Sequence, residues 1–539
     1  MMVAWLLSGA PSVKAAQDTE IQVGIIQRFG DRTKDVLNIK APPGDRLALR
    51  LITDGKPQTI TTQALKLEIA MQKLPQPIVE ERLVFSTHRS FETAEDHAQQ
   101  WRSRGIDVEL AQPERWQVWA NRRIYNSPLL RRLLLQSLQL KGIQTARVET
   151  RIIREVPRLT WVMNGFRYAR DLIDITSKSG VIQVDREKDD APNRSYGGAL
   201  RLQPNAYGNY TLVNFVGVET YLRGVVPHEI GTSAPQSVLE AQAILARTYV
   251  LRNLRRFAID NYQLCATTQC QVYWGIDKAH PATDKAIAAT RGQVLTYQNE
   301  LVDAVYSSTS GGITASFNDI WHGWDRPYLR AVIDSVKPMW DLQTRSLADE
   351  KNFRAFINQK KGFNEDGTTM FRWRYPDTLA KLNQELRTYL KEVNHPLVGF
   401  KTIQNIHVMQ RSPSGRILKT AVVTDAGIIE FHKDDVLKVF DSPASTLFYV
   451  EPLVEKKKNV TTLKGFAFVG GGFGHGVGLS QFGSYNLGRL GWSSDRILSF
   501  YFPGTQLQPM SRAIALWRDR PVIQTSVSNR TPQATSSKN

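Results

Sequence analysis

Apolar and polar residues alternate along Glu20-Ile21-Gln22-Val23-Gly24-Ile25-Ile26, the period of a half-buried strand. The same period recurs at Leu47-Ala48-Leu49-Arg50-Leu51-Ile52 and Leu65-Lys66-Leu67-Glu68-Ile69, so residues 20–79 read as a β-rich segment. The rhythm changes near residue 80. Arg82-Leu83-Val84-Phe85 predicts a strand, and Glu92 to Arg104 predicts a helix stopped by Gly105, which tolerates positive φ. Strands follow at Asp107-Val108-Glu109-Leu110 and Gln117-Val118-Trp119-Ala120. A second helix is expected from Ser127-Pro128 to Leu140, stopped by Gly142, before Thr145 to Ile153 returns as a strand.

The order β-α-β-β-α-β over 80–153 is the split βαβ arrangement of ferredoxin-like folds. From about 158 the chain is strand-rich with turns. Leu212-Val213-Asn214-Phe215-Val216-Gly217-Val218 leads into Tyr221-Leu222-Arg223-Gly224-Val225-Val226-Pro227. Between 340 and 460 a helical stretch, Leu379 to Val393, mixes with hairpin-like strands around Ser412-Pro413-Ser414-Gly415-Arg416. The expected class is α+β and multi-domain, a β-rich mixed domain plus the ferredoxin-like module.

Composition refines this. The 539 residues suit about two to four folding units, and no run approaches the roughly eighteen apolar residues of a membrane span. The net charge of +18 fits an anionic polymer or surface. Lys and Arg are scattered, with short clusters at Arg131-Arg132, Arg255-Arg256 and Lys456-Lys457-Lys458. That distribution argues against nucleic acid, which asks for one basic patch interleaved with aromatics. Residues 1–19, with the apolar run Val3 to Leu7 and small residues ending Ala15-Ala16, read as a signal-like leader, truncated at its front. The polar tail 522–539 reads as disordered.

Four segments carry candidate chemistry. The first is Tyr221-Leu222-Arg223-Gly224-Val225-Val226-Pro227-His228-Glu229-Ile230, followed by a helix with Glu240-Ala241-Gln242-Ala243 and Ala246-Arg247-Thr248-Tyr249. The second is Cys265-Ala266-Thr267-Thr268-Gln269-Cys270-Gln271-Val272-Tyr273-Trp274-Gly275, and the third is Ala304-Val305-Tyr306-Ser307-Ser308-Thr309-Ser310-Gly311-Gly312-Ile313-Thr314. The fourth is Gly472-Phe473-Gly474-His475-Gly476-Val477-Gly478-Leu479-Ser480-Gln481-Phe482-Gly483, closing near Tyr501-Phe502-Pro503-Gly504-Thr505. In this order they resemble the SpoIID/LytB family over roughly 160–507, within an expected domain at 158–510. The module at 80–153 resembles a SPOR domain, through its element order and through Phe91, Gly105 and Trp119.

Glu229 follows Pro227 and precedes a helix for which Ser233 fits the N-cap, Pro235 the first turn and Gln236 a capping box, running to about Phe257. It is therefore expected in a loop held by a helix start. That dipole would lower its pKa, and burial against apolar surface would have to outweigh it for an acid to stay protonated. The resemblance implies that Glu229 is the catalytic acid and then base of a peptidoglycan lytic transglycosylase, which needs one carboxyl where ordinary glycosidases need two. It equally implies a rival, a non-enzymatic enhancer of a cell-wall amidase.

His475, in a glycine-dense loop without phosphate-cradle spacing, has three open roles: bonding substrate, orienting Glu229, or satisfying the loop backbone. A Ser-His-Asp hydrolase is weaker, since neither Ser308 nor Ser480 sits in a G-x-S-x-G elbow. Motif position nominates Arg247, Gln271, Tyr273, Ser310, His475, Ser480 and Gln481 for substrate binding, with Trp274, Trp321, Trp324 and Tyr328 as sugar-stacking candidates. Gln269 stands where relatives often have a zinc-binding His. Two thiols, with His280 the nearest other ligand, fall short of a four-ligand site, so no metal or other cofactor is expected. Cys265 and Cys270 are either bridged or buried thiols. The implied setting is outside the cell, in periplasm or wall and peripheral to a membrane at most. The implied partners are peptidoglycan glycan strands and a cell-wall amidase.

Overall fold

The structure is a computed structural model describing residues 18–31, 35–53, 55–186, 193–457 and 460–518. The expected leader, apart from Asp18 and Thr19, and the expected tail lie outside the described residues. The fold is α+β, with several sheets and helices in one chain.

The strand Glu20–Phe29 pairs antiparallel with Tyr210–Gly217 in a seven-stranded sheet. The N-terminal segment thus shares a sheet and a core with the chain beyond residue 158. Ile21, Val23, Leu49 and Leu212 all lie in that core.

The ferredoxin-like module is present. β1 (Ala64–His88), β2 (Val108–Ala111), β3 (Trp116–Ala120) and β4 (Arg147–Met163) stand in the order β4-β1-β3-β2, every neighbour antiparallel. Helix α1 (Phe91–Ser103) starts where Ser90 accepts a bond from Thr93 N at 3.3 Å. Helix α2 (Pro128–Leu140) starts where Ser127 accepts one from Leu130 N at 3.3 Å. Gly105 and Gly142 follow at φ +76° and +80°. No break precedes the module near residue 80, because β1 and β4 run through it as one ribbon whose first half also pairs Val36–Lys40. At one place the ribbon bulges: Lys73 faces Glu155 and Ile78 faces Ile153, so residues 74–77 have only Arg154 opposite them. The module docks on the main body through Arg255–Glu95 at 2.6 Å, the Arg256–Glu92 pair, and Trp116 against Phe257.

Two helices then cross the main core. Helix α3 (Val218–Glu229) places Tyr221, Leu222 and Val225 in it, and helix α4 (Gln236–Arg252) adds Ala243 and Ile244. This corrects the expected loop at Glu229, which is the last residue of α3. Pro227 falls in the final turn, where it forgoes one helical hydrogen bond, and the His228 Nδ1–H donates to the Gly224 carbonyl at 2.8 Å. The expected cap is corrected too. Pro235, not Ser233, occupies the N-cap without a side-chain bond, because a residue before proline is driven extended and the helix cannot start earlier. α4 ends at Arg252, not near Phe257.

A further core is built from Trp373, Leu382, Leu386, Phe400, Val422, Phe431 and Phe468, around the helix Leu379–Glu392 and the antiparallel strands Ile403–Arg411 and Ile417–Thr424.

Gly224 is where α3 meets the 273–275 loop. A Cβ there would lie 2.5 Å from the Gly275 carbonyl and 2.6 Å from the Tyr273 ring. Gly224→Ala should therefore cost about 1–3 kcal/mol through overpacking, read as a lowered thermal midpoint.

Candidate active site

The residues around Glu229 are gathered by a short parallel pairing of β5 (Tyr306–Ser307) with β6 (Leu479–Ser480), and β6 runs straight into helix α5 (Gln481–Arg489). Val272 N donates to Glu229 Oε1 at 2.6 Å. Gln481 Nε2 donates to the Glu229 carbonyl at 2.9 Å, and Gln481 and Tyr306 also bond the carboxyl. Behind Tyr306, Gln271 Nε2 donates to its hydroxyl at 3.1 Å while the buried Tyr221 hydroxyl donates to Gln271 Oε1 at 3.2 Å.

Glu229 is part-buried, and burial pushes its pKa up from 4.5 to about 6, against the three hydrogen bonds that favour the carboxylate. The helix effect has the opposite sign to the sequence expectation. At the C-terminus of α3 the negative dipole end disfavours a carboxylate. No second carboxylate is among the groups shifting it.

The glycine loop owes its path to backbone freedom. Gly478 has φ +75°, and a Cβ on it would lie 2.1 Å from the Val305 carbonyl. His475 Nδ1 accepts from Val477 N at 3.0 Å, its ring also bonds the Tyr306 backbone, and Trp321 packs on it at 5.0 Å. Burial and the nearby Arg416 hold its pKa down to about 4, so the ring is neutral at pH 7. Of its three open roles the geometry fits the backbone one, and through Tyr306 His475 also supports the ring of groups around Glu229.

The other nominated residues divide. Gln271 and Gln481 join Glu229. Arg247 does not: its guanidinium is buried and grips Glu219 at 2.8 and 2.7 Å. Tyr273 is buried with its hydroxyl on Asn214 at 2.8 Å. Ser310 and Ser480 belong to a neighbouring buried cluster. Ser310 Oγ donates to Asp334 at 3.2 Å, and Ser480 Oγ donates to Glu365 and caps α5. Trp321 and Tyr328 are buried, and Trp324 lies against Arg326. Trp274 is 44% exposed and meets His228 edge-on at 5.3 Å; Phe482, 46% exposed, follows Gln481. Trp274 thus touches the residue before Glu229, and Phe482 follows a residue bonded to it. Cys265 and Cys270 are bridged just ahead of Val272, and His280 caps the helix Pro281–Ala289. Tyr306 lies within the third segment but is not among the residues that motif position nominates. Its only signal was its place one residue before Ser307-Ser308.

Taken together, fold and site define an α+β protein with a part-buried candidate acid at the end of α3, held by groups from three separate segments. The family model described as "Stage II sporulation protein" matches residues 206–297, which hold Glu229, and a model described as "Domain of unknown function (DUF8618)" matches 315–478. The chain is 27% identical to the amidase enhancer of Bacillus subtilis over 346 residues, 58% of this chain and 47% of that protein. It is 26% identical to stage II sporulation protein D of the same organism over 312 residues, 55% of this chain and 75% of that one. An uncharacterised protein of Brachyspira hyodysenteriae is 26% identical over 353 residues, 62% and 78% of the two chains. Residues 206–297 thus match the SpoIID family, the chain is similar to its LytB-type and SpoIID-type relatives, and its match spans about half the length of the amidase enhancer.

The raised pKa has a stability consequence. Glu229 binds its proton more tightly folded, near 6, than at its ordinary 4.5. Its favourable contribution is therefore complete below about pH 4.5 and lost as pH rises through about 6. Glu229→Gln should gain on the native protein by up to about 2 kcal/mol between about pH 4 and about pH 8. Thermal midpoints of the two proteins across that range check this.

Proposed function

We propose that the protein acts on the bacterial cell wall as a peptidoglycan lytic transglycosylase, with Glu229 as acid and then base. The observation that carries this reading is a lone carboxyl, held by Val272 N at 2.6 Å and raised toward neutrality by burial, with no carboxylate partner shifting it. Protonated Glu229 gives its proton to the glycosidic oxygen between N-acetylmuramic acid and N-acetylglucosamine, and the C1–O bond breaks. The muramic 6-hydroxyl then attacks C1 and returns its proton to the Glu229 carboxylate, leaving a 1,6-anhydro end without consuming water. A two-carboxylate hydrolase would need a second acidic group placed about 5–9.5 Å away.

The module at 80–153 serves on this reading to hold glycan strands that lack stem peptides, as its SPOR-like order suggests. The whole acts outside the cell, in periplasm or wall; no helix among the described residues is long and apolar enough to cross a membrane.

The likeness to a protein named amidase enhancer supports a second reading. In it the surface around Glu229 binds glycan or a wall amidase, and Glu229 is a binding group.

Peptide-free glycan strands incubated with the protein decide between them by mass spectrometry. The first reading expects anhydromuramic ends, reduced about 10²–10⁴-fold by Glu229→Gln. Retained binding with no such ends from either protein, together with capture of an amidase, would leave the second reading standing.

The pH profile gives a further check. The acid form of Glu229 is depleted above about pH 6, so cleavage should fall about tenfold per pH unit beyond it. Tyr306→Phe removes a bond that favours the carboxylate, so the alkaline limb should move to higher pH.

A further inference from the structure

We propose that α2 is a membrane-surface element that seats the protein on an anionic phospholipid bilayer. Along α2 only Leu138 is fully buried, and Arg131, Leu134 and Leu135 share its inward side. On the opposite side Leu129, Leu133 and Leu140 recur at nearly whole helical turns, which puts them in one stripe. They are 67%, 53% and 82% exposed, and Leu130 and Ile124 beside them are exposed too. The apolar surface continues onto the ribbon. Glu81 points at α2, where it meets Arg132 at 2.5 Å, and Val79, two residues back on the same face, is opposed to the equally exposed Ile152.

The charge around the stripe selects the occupant. Residues 115–148 hold seven Lys or Arg and no Asp or Glu. Arg123 precedes α2 and Lys141 follows it, so cations stand at both ends of a convex leucine stripe. Glu81 and other acids pair Arg115, Arg122, Arg131, Arg132 and Arg147, which leaves Arg123 and Lys141 at the two ends of the stripe. Leucines on an outer face with such cations at its ends are the pattern of elements lying in a lipid interface, leucines in the acyl boundary and cations among anionic headgroups. At thirteen residues, about 20 Å long, α2 lies on a bilayer and cannot span it. A protein groove would ask for polar groups that fix register, and within the stripe only Gln136 could do so.

The test is cosedimentation of the full chain with vesicles of phosphatidylglycerol and phosphatidylcholine, compared with phosphatidylcholine alone. The expected result is binding to the anionic vesicles that weakens with added salt. The triple variant Leu129→Ser, Leu133→Ser, Leu140→Ser should bind at least about tenfold more weakly with unchanged circular dichroism, and Arg123→Gln with Lys141→Gln should remove part of the salt-sensitive affinity. Glu229→Gln should bind vesicles as the native protein does, which separates this result from the fate of the transglycosylase reading. Absence of binding by the native chain, or equal binding by the triple variant, overturns the proposal. So does a leucine-dependent dimer in sedimentation velocity that persists with vesicles, since a second copy would then own the stripe.

Discussion

Everything at the site depends on a parallel pairing of two residues with two others, Tyr306-Ser307 with Leu479-Ser480, far apart in the chain. So short a ladder cannot hold itself, and two buried carboxyl groups hold it. Glu365 accepts bonds from the backbone N–H groups of Ser310, Gly311 and Gly312 and from the Ser480 hydroxyl, tying the loop after Tyr306-Ser307 to the strand preceding Gln481. Beside it Asp334 takes bonds from Ser310, Asn364 and Tyr501, its pKa driven well above the usual range by burial and by Glu365. A buried polar network of this kind stabilises only when its members are satisfied together, so the loops at 310 and 480 fold as one unit. Tyr306 and Gln481 reach Glu229 because of it.

That unit also explains why the acid can be neutral. Its carboxyl sits at the negative end of α3, out of most of the solvent, with a backbone N–H, a phenol and an amide as neighbours. Each neighbour is uncharged. Three hydrogen bonds keep the ionised form accessible while burial disfavours it, which leaves a group able to give and retake a proton near neutrality.

The sequence made the module readable at the level of individual residues. Ser90, Ser127, Gly105 and Gly142 act as the stops and starts their chemistry implies, because caps and left-handed turns are local decisions. Glu229 was legible as a candidate but its setting was not. Pro227 reads as a boundary, yet the helix runs two residues past it, with Gly224 packed against the 273–275 loop and the His228 ring on the Gly224 carbonyl. Arg247, Tyr273 and Ser310 show the converse. Motif position marks residues a family keeps near its site, yet says nothing about whether a polar side chain faces a cleft or is consumed by Glu219, Asn214 or Asp334. Tyr306 escaped because nothing local distinguishes a phenol that meets a carboxyl from one that fills a core.

The ribbon of β1 and β4 carries one more implication. The module joins the body through two hydrogen-bonded strands as well as through side-chain contacts, so it is not a bead on a tether. A paired ribbon resists twisting far more than a single chain does, and its direction is set at the bulge of residues 74–77, where Pro75 and Pro77 restrict the backbone. The ribbon and the buried contact of Trp116 with Phe257 therefore fix the module to the body at two separate places. Changing the length of the bulge would set the ribbon's direction against that shared core, so the four residues and the core must be kept in step.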